Sequence, residues 1–246
     1  MDQTNSDTCC VIIGASSYIA QAVIRHMVEV QSVEKIFAIT RSTRESLFLD
    51  NRVEYITSDY TEASIASVIE YLAGASYRIS KIMIFNGVLH DDVSFPEKSL
   101  ADVTATNLSH LISINTITPF IWISNLSSLI KAKQECHIVV LSARIGSIQD
   151  NRLGGWYAYR ASKAALNMLL KTASIEFYRK NKFVKLVAFH PGTTDTPLSK
   201  PFQKNVPKEK LFTPDFVATR LLKVLSELPF DGELAYVDWD GKFIEW

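Results

Sequence analysis

Tyr159 and Lys163 stand four residues apart in the stretch Tyr157 to Leu170, which is rich in alanine and leucine. Those residues are strong helix formers, and no Gly or Pro interrupts the pattern through Tyr178. On a helix, positions four apart share a face, so a phenol and an ammonium become neighbours. A free phenol titrates near pH ~10, and a cation held alongside favours the phenolate. A tyrosine tuned in this way can give a proton to a carbonyl oxygen or take one from an alcohol. The plain alternative is an amphipathic core helix on which a Tyr and a Lys happen to face one way.

A second stretch has the layout of a phosphate cradle. The apolar run Cys9 to Ile13 reads as a strand buried on both faces and passes into Gly14-Ala15-Ser16-Ser17-Tyr18-Ile19-Ala20. A helical pattern follows through Ala22, Val23, Met27 and Val28. Strand, small-residue turn and helix aim backbone N–H groups and a helix N-terminus at a phosphate. A generic strand-to-helix turn is the other reading, since only Gly14 is a glycine. The next strand, Ile36 to Ile39, ends in Thr40-Arg41-Ser42-Thr43-Arg44 without an acid. An acid there would suit the ribose hydroxyls of NAD, whereas the forked donors of Arg41 suit a 2′-phosphate. Arg41 is equally readable as a solvated loop residue.

The elements that must position these groups alternate along the chain. Val53 to Ile56 is a third strand, followed by Ser58-Asp59-Tyr60 and a helix from Thr61 to Leu72. Lys81 to Phe85 is a fourth, closing on Asn86-Gly87; Leu108 to Leu129 is a long apolar helix in which Pro119 predicts a bend or break. His137 to Leu141 is a fifth strand, ending in Ser142-Ala143-Arg144-Ile145-Gly146. After the Tyr/Lys helix, Val184 to Phe189 is a sixth, ending in His190-Pro191-Gly192. Alternation of this kind predicts an α/β fold with a parallel sheet covered by helices on both faces. The Lys- and Pro-rich segment Pro197 to Pro214 is weakly periodic and suits a flap over a site.

Composition narrows the class. The chain has 246 residues, 47% hydrophobic and 21% charged, which fits one large α/β domain with a full core. Its 26 basic and 26 acidic residues cancel, so neither nucleic acid nor an anionic membrane is an expected partner. No apolar run approaches the ~18 residues needed to span a bilayer. The polar, acid-bearing Met1 to Thr8 does not read as a secretory signal, and Cys9, Cys10 and Cys136 read as reduced, buried thiols. A cytoplasmic location is expected, and no metal site.

Taken together and in order, these pieces resemble the short-chain dehydrogenase/reductase family over nearly the whole chain. The set comprises Gly14 after the first strand, Asp59 after the third, Asn86-Gly87 after the fourth and Asn115 in the next helix. Ser142 follows the fifth strand, then Tyr159-x-x-x-Lys163, and Pro191-Gly192-x-x-x-Thr196 follows the sixth. The stretch from Ser142 to Lys163, with Gly154-Gly155-Trp156 before the tyrosine, resembles a branch containing C-factor-like signalling proteins and carbonyl reductases.

The resemblance implies a single Rossmann-like domain, doubly wound, that interconverts a carbonyl and an alcohol with NADP(H) in preference to NAD(H). It implies Tyr159 as proton donor, Lys163 as the residue that tunes it and holds the nicotinamide ribose, and Asn115 as an aid to a relay water. Gly14, Ser16, Ser17, Tyr18 and Ile19 are then the phosphate turn, and Asp59 and Tyr60 lie at the adenine. Pro191, Gly192, Thr194 and Thr196 form the loop gripping the carboxamide and phosphates. The family's substrate-orienting serine lies three residues before the glycine of its turn, a place held here by Ala143, so Ser142 is one residue early. Phe85-Asn86-Gly87 stands where Asn-Ala-Gly is usual, and Tyr18 and Ala20 replace two fingerprint glycines. The partners implied are a small carbonyl or alcohol and a second copy of the chain in a homodimer or tetramer. The alternative is a nucleotide-binding signalling protein of the same fold with little catalysis.

Overall fold

The structure, a computed structural model, describes residues 8–30, 33–41 and 47–246; the N-terminal residues 1–7 and the loop residues 42–44 discussed above lie outside them. The first apolar run forms β1 (Thr8–Ile13), with Cys9 to Ile13 fully buried. Ser17 then caps α1 (Tyr18–Glu29), its hydroxyl accepting the Ala20 N–H at 3.1 Å. β2 (Lys35–Thr40) and β3 (Val53–Thr57) run outward from β1, and α2 (Glu62–Gly74), capped by Thr61, returns the chain to β4 (Arg78–Ile84). Next come α3 (Ala105–Ile112), α4 (Thr118–Leu126), β5 (Cys136–Leu141), α5 (Tyr157–Lys180) and β6 (Val184–His190).

β1 to β6 join a further strand, β9 (Ala235–Asp238), in one seven-stranded sheet ordered β3-β2-β1-β4-β5-β6-β9, every neighbouring pair parallel. Two short strands, β7 (Thr193–Thr194) and β8 (Leu211–Phe212), pair separately beyond β6. α6 (Pro214–Glu227) lies between β8 and β9, with Thr213 as its cap and Pro214 in its first turn. One apolar core lies between the sheet and α2, α4 and α5, with Trp122, Leu126, Leu166 and Leu170 at its centre. The other lies under α1 and α6, with Ile24, Met27, Val217 and Leu221. This is a Rossmann-like, doubly wound α/β fold. The chain enters at β1, winds to one edge, then crosses to β4, so the order reverses between β1 and β4. A crevice outside the carboxyl ends of the strands opens at that reversal.

Three features differ from the sequence reading. The expected helix Leu108 to Leu129 is divided, because a π-turn at Ser113–Ile117 separates α3 from α4. The irregularity sits just before Pro119 rather than at it. Pro119 has no N–H to give the Asn115 carbonyl four residues back, and the Thr118 N–H reaches instead to the Ser113 carbonyl. The segment Pro197 to Pro214 folds into two 3-10 turns, Lys200–Asn205 and Lys208–Lys210, before β8. The third difference is α6 and β9, which complete the sheet and one of its helical layers.

Candidate active site

At the carboxyl end of the sheet lies a cavity of about 700 Å³ that runs from the β1 turn to the start of α5. All the sequence-derived site residues except Asn115 border it, so the fold brings together residues spread from Gly14 to Thr196. At one end Gly14 has φ +75°, and a Cβ there would lie 2.6 Å from the Asn86 nitrogen and 2.9 Å from the Phe85 carbonyl carbon. Only glycine allows β1 to turn this close to the end of β4. The Gly14 N–H donates to the Tyr60 hydroxyl at 3.0 Å, so Tyr60 braces the turn. Tyr18 and Ile19 open α1, where N–H groups have no intrahelical acceptor. Tyr18 is 51% exposed at the rim. Arg41 is exposed, with its guanidinium 5.9 Å from the Tyr60 ring. Asp59 is exposed too, and its Oδ1 accepts both the N–H and the hydroxyl of Thr61, which holds its carboxyl below the usual range.

The middle of the cleft holds buried polar atoms without a protein partner. Asn86 Oδ1, His190 Nδ1 and Thr194 Oγ1 are unpaired among the described residues, and all three residues border the cavity. Burial and the nearby Arg144 pull His190 down to about 4, so its ring is neutral at physiological pH. Buried polar atoms need partners, and these three suit a ligand rich in donors and acceptors. The glycine turn, the open N-terminus of α1 and Arg41 suit phosphates at the far end. The donor set fits a dinucleotide.

The other end is built on α5. Lys163 is 3% exposed and its Nζ donates to the Leu141 carbonyl at 2.8 Å. Its Nζ lies 5.9 Å from the centre of the Tyr159 ring. Burial lowers Lys163 from 10.5 to about 8. Burial, with Tyr236 close by, pushes the half-buried Tyr159 phenol well above its ordinary range. The cation therefore does not set the phenol's position in the ligand-free cleft, as the spacing alone suggested; desolvation outweighs it. Two glycines let other elements reach this pair. A Cβ on Gly146 would sit 2.8 Å from the Lys163 Cβ, and one on Gly87 would sit 3.2 Å from Asn115 Oδ1 and 3.5 Å from Lys163 Nζ.

Asn115 occupies the π-turn and is fully buried. Its Oδ1 accepts the Val88 N–H and its Nδ2 donates to the Val88 carbonyl, both at 2.8 Å, and Nδ2 also reaches Ser162 Oγ at 3.1 Å. The amide thus ties the strand-end loop after β4 to α5. Ser142 borders the cleft, yet its hydroxyl donates to Asn167 Oδ1 on α5 at 2.7 Å. Ala143, in the next position, lines the cleft without a hydroxyl. Its carbonyl accepts the hydroxyl of Tyr236 from β9 at 2.7 Å. Sequence reasoning passed over Tyr236 because the run Ala235-Tyr236-Val237 is too short to mark a strand. The stretches Asp150 to Trp156 and Pro197 to Phe212, expected from the sequence to line the substrate end, contribute Trp156, Leu198, Phe202 and Val206 to the cavity, whereas Leu89 and Ile145, which line it too, lie outside both. Among the described residues, no three His, Cys, Asp or Glu gather to hold a metal, and no helix is long and apolar enough to cross a membrane.

The chain is 32% identical over 137 residues to 1-hydroxy-2-glutathionyl-2-methyl-3-butene dehydrogenase of Rhodococcus sp. (strain AD45), a match over 55% of this chain and 57% of that enzyme. It is 30% identical over 148 residues to the C-signal protein of Myxococcus xanthus, covering 60% of this chain and 84% of that one. Its fold superposes on an NADPH-bound carbonyl reductase from chicken with a TM-score of 0.80 at 24% identity, over 98% of this chain and 95% of the other. The model of the short chain dehydrogenase family matches residues 8–207, and the chain belongs to that family.

Proposed function

We propose that the protein is an NADP(H)-dependent oxidoreductase that interconverts a small, uncharged carbonyl compound and its alcohol. The observation that carries this reading is the pairing of Tyr159 with Lys163 in one wall of a cleft whose far end holds Gly14, the N-terminus of α1 and Arg41. NADPH, when bound, supplies the hydride. Asn86, His190 and Thr194 offer it their unpaired atoms, and Arg41 offers a guanidinium to the 2′-phosphate. The NADPH-bound chicken reductase of similar fold supports the same choice of nucleotide.

Tyr159 gives its proton to the carbonyl oxygen as charge develops there. A phenol whose affinity for its proton is raised stays protonated throughout the physiological range, which suits reduction. Lys163, between the Leu141 carbonyl and the Tyr159 ring, holds a cation beside the phenolate that forms. Pro119 has no N–H to give the Asn115 carbonyl, and that oxygen is the place this reading assigns to a water that returns the proton. Among the described residues that line the cavity, Leu89, Ile145, Trp156, Leu198, Phe202 and Val206 are apolar or aromatic and the charged ones are Arg41, Asp59 and Lys163, which favours a substrate without charge of its own.

A second reading, a nucleotide-binding signalling protein with little turnover, is favoured by one detail. The Ser142 hydroxyl is engaged by Asn167, which leaves Ala143 facing the cleft. NADPH titration followed by turnover on a panel of aldehydes, ketones and diketones separates the two. Oxidation of NADPH by any of these carbonyls supports the enzyme; tight NADPH binding with no oxidation supports the signal.

A further inference from the structure

Glu97 is only 3% exposed in the connection between β4 and α3, and no Lys or Arg pairs with it among the described residues. Its Oε2 accepts the Ala158 N–H at 3.2 Å, and its Oε1 accepts the Asn107 side-chain amide. Its main-chain carbonyl accepts the Trp156 N–H at 2.6 Å. These contacts meet a need that α5 cannot satisfy itself. The helix begins at a tryptophan with φ 54° and ψ 45°, a left-handed conformation, and has no side-chain cap of its own. Gly154 and Gly155 just before it also have positive φ. The first N–H groups of a helix need acceptors, and a side-chain oxygen placed beside them can supply one. Glu97 supplies the acceptor from 61 residues away in the chain.

What hangs on that turn is the cleft. Tyr159 follows Ala158 directly, and the Trp156 ring lies 4.9 Å from Phe202 and 6.4 Å from Tyr159, centre to centre. We propose that Glu97 is a positioning residue whose carboxylate fixes the first turn of α5, and through it the aim of Tyr159 and the Trp156 wall. The kinetic consequence rests on the reading of Tyr159 as proton donor; the placement of Trp156 does not.

Three variants test this. Glu97→Ala removes both side-chain acceptors and leaves the main-chain carbonyl that accepts the Trp156 N–H. Glu97→Asp keeps the charge but shortens the reach by one methylene, and it is the milder change should the alanine variant not fold. Glu97→Gln can keep the Ala158 bond through its oxygen and donate to Asn107 once that amide turns over, which requires only that the Ser94 hydroxyl bound to Asn107 rotate. The readouts are kcat and KM, the NADPH dissociation constant, and the near-UV circular dichroism band of Trp156, assigned by subtracting Trp156→Phe. Glu97→Ala and Glu97→Asp should lose that band and at least about tenfold in kcat, with NADPH affinity within about threefold of wild type. Glu97→Gln should retain both band and kcat. Variants that melt earlier but keep the band and kcat would reduce Glu97 to a structural residue and overturn the proposal. So would Glu97→Gln failing as badly as Glu97→Ala, since charge rather than geometry would then matter. Should the wild type reduce no carbonyl, the enzymatic reading falls, and the Trp156 band alone still decides the role of Glu97.

Discussion

Burial pushes Tyr159 and Lys163 towards their uncharged forms, one phenol up and one ammonium down, so at the scale of residues the site stores an electrostatic cost. For Lys163 the sign can be worked out. Its folded value, about 8, lies below its ordinary 10.5, so between those pH values the unfolded chain binds a proton that the folded chain does not. Stability therefore rises with pH across that window, and the cost is fully present below pH 8. Lys163→Met removes it, so the ligand-free variant should melt higher than wild type at pH 7, with the gap closing towards pH 10.5. The gain is at most about 3 kcal/mol, less the lost bond to the Leu141 carbonyl at about 1 kcal/mol. Thermal melts of both proteins from pH 6 to pH ~10.5 check it; a gap that widens with pH contradicts it. That the two side chains would be neighbours was legible, because residues four apart in an uninterrupted helical run share a face, though that spacing alone left a plain core helix open. The direction of the Tyr159 shift was not, because it follows from burial by the folded chain and, after that, from the charge interaction with Tyr236, which lies 77 positions away.

Among the elements, close approach does the positioning. The 3-10 turn Arg144–Gly146 lies against α5 at Lys163 only because Gly146 has no side chain. Gly146→Ala would set a methyl 2.8 Å from the Lys163 Cβ and 3.0 Å from its carbonyl carbon, and one of those atoms is backbone. The expected cost is about 1–3 kcal/mol by denaturant unfolding, with a fall in turnover because Lys163 is displaced. Unchanged stability and turnover would show that the turn can move aside freely. β1, β2, β4, β5 and β6 were readable from their apolar runs, because strands buried on both faces tolerate little else, and the edge strand β3 was readable as a shorter, half-buried one. The π-turn was not, since a proline announces a disrupted helix without saying on which side the chain adjusts. α6 had a readable signal in Thr213-Pro214-Asp215 followed by Val217, Leu221 and Leu225, an N-cap and a helical period. Glu97 had none, because its partners Asn107, Trp156 and Ala158 meet only once the sheet has formed.

For the molecule as a whole, the proposed nucleotide choice and the expected assembly both turn on surface residues. Arg41 is exposed at the cleft mouth, so Arg41→Ala should weaken NADPH binding by about 1–3 kcal/mol and leave NADH binding nearly unchanged. Titration of both nucleotides against both proteins measures it, and an unaltered preference in the variant removes Arg41 from the role. The exposed Ile117, Met168 and Ile175 lie on the π-turn and α5, outside either core. A homodimer or tetramer with a two-fold axis would cover such residues, and sedimentation at micromolar concentration is expected to show one; a monomer rules it out. The parallel sheet with helices on both faces was legible from alternation alone. The shape of the substrate wall was not, because it draws on the two least patterned stretches, around Trp156 and Phe202.

The most direct test of the proposed chemistry is a single comparison of Tyr159→Phe with wild type, using NADPH and whichever carbonyl the wild type reduces. Phenylalanine keeps the ring and removes the only proton that position can give. Turnover should fall by ~10²-fold or more while the NADPH dissociation constant stays within about threefold, because the nucleotide contacts lie elsewhere in the cleft. A folded Tyr159→Phe protein that reduces the carbonyl at close to the wild-type rate would contradict the role assigned to Tyr159.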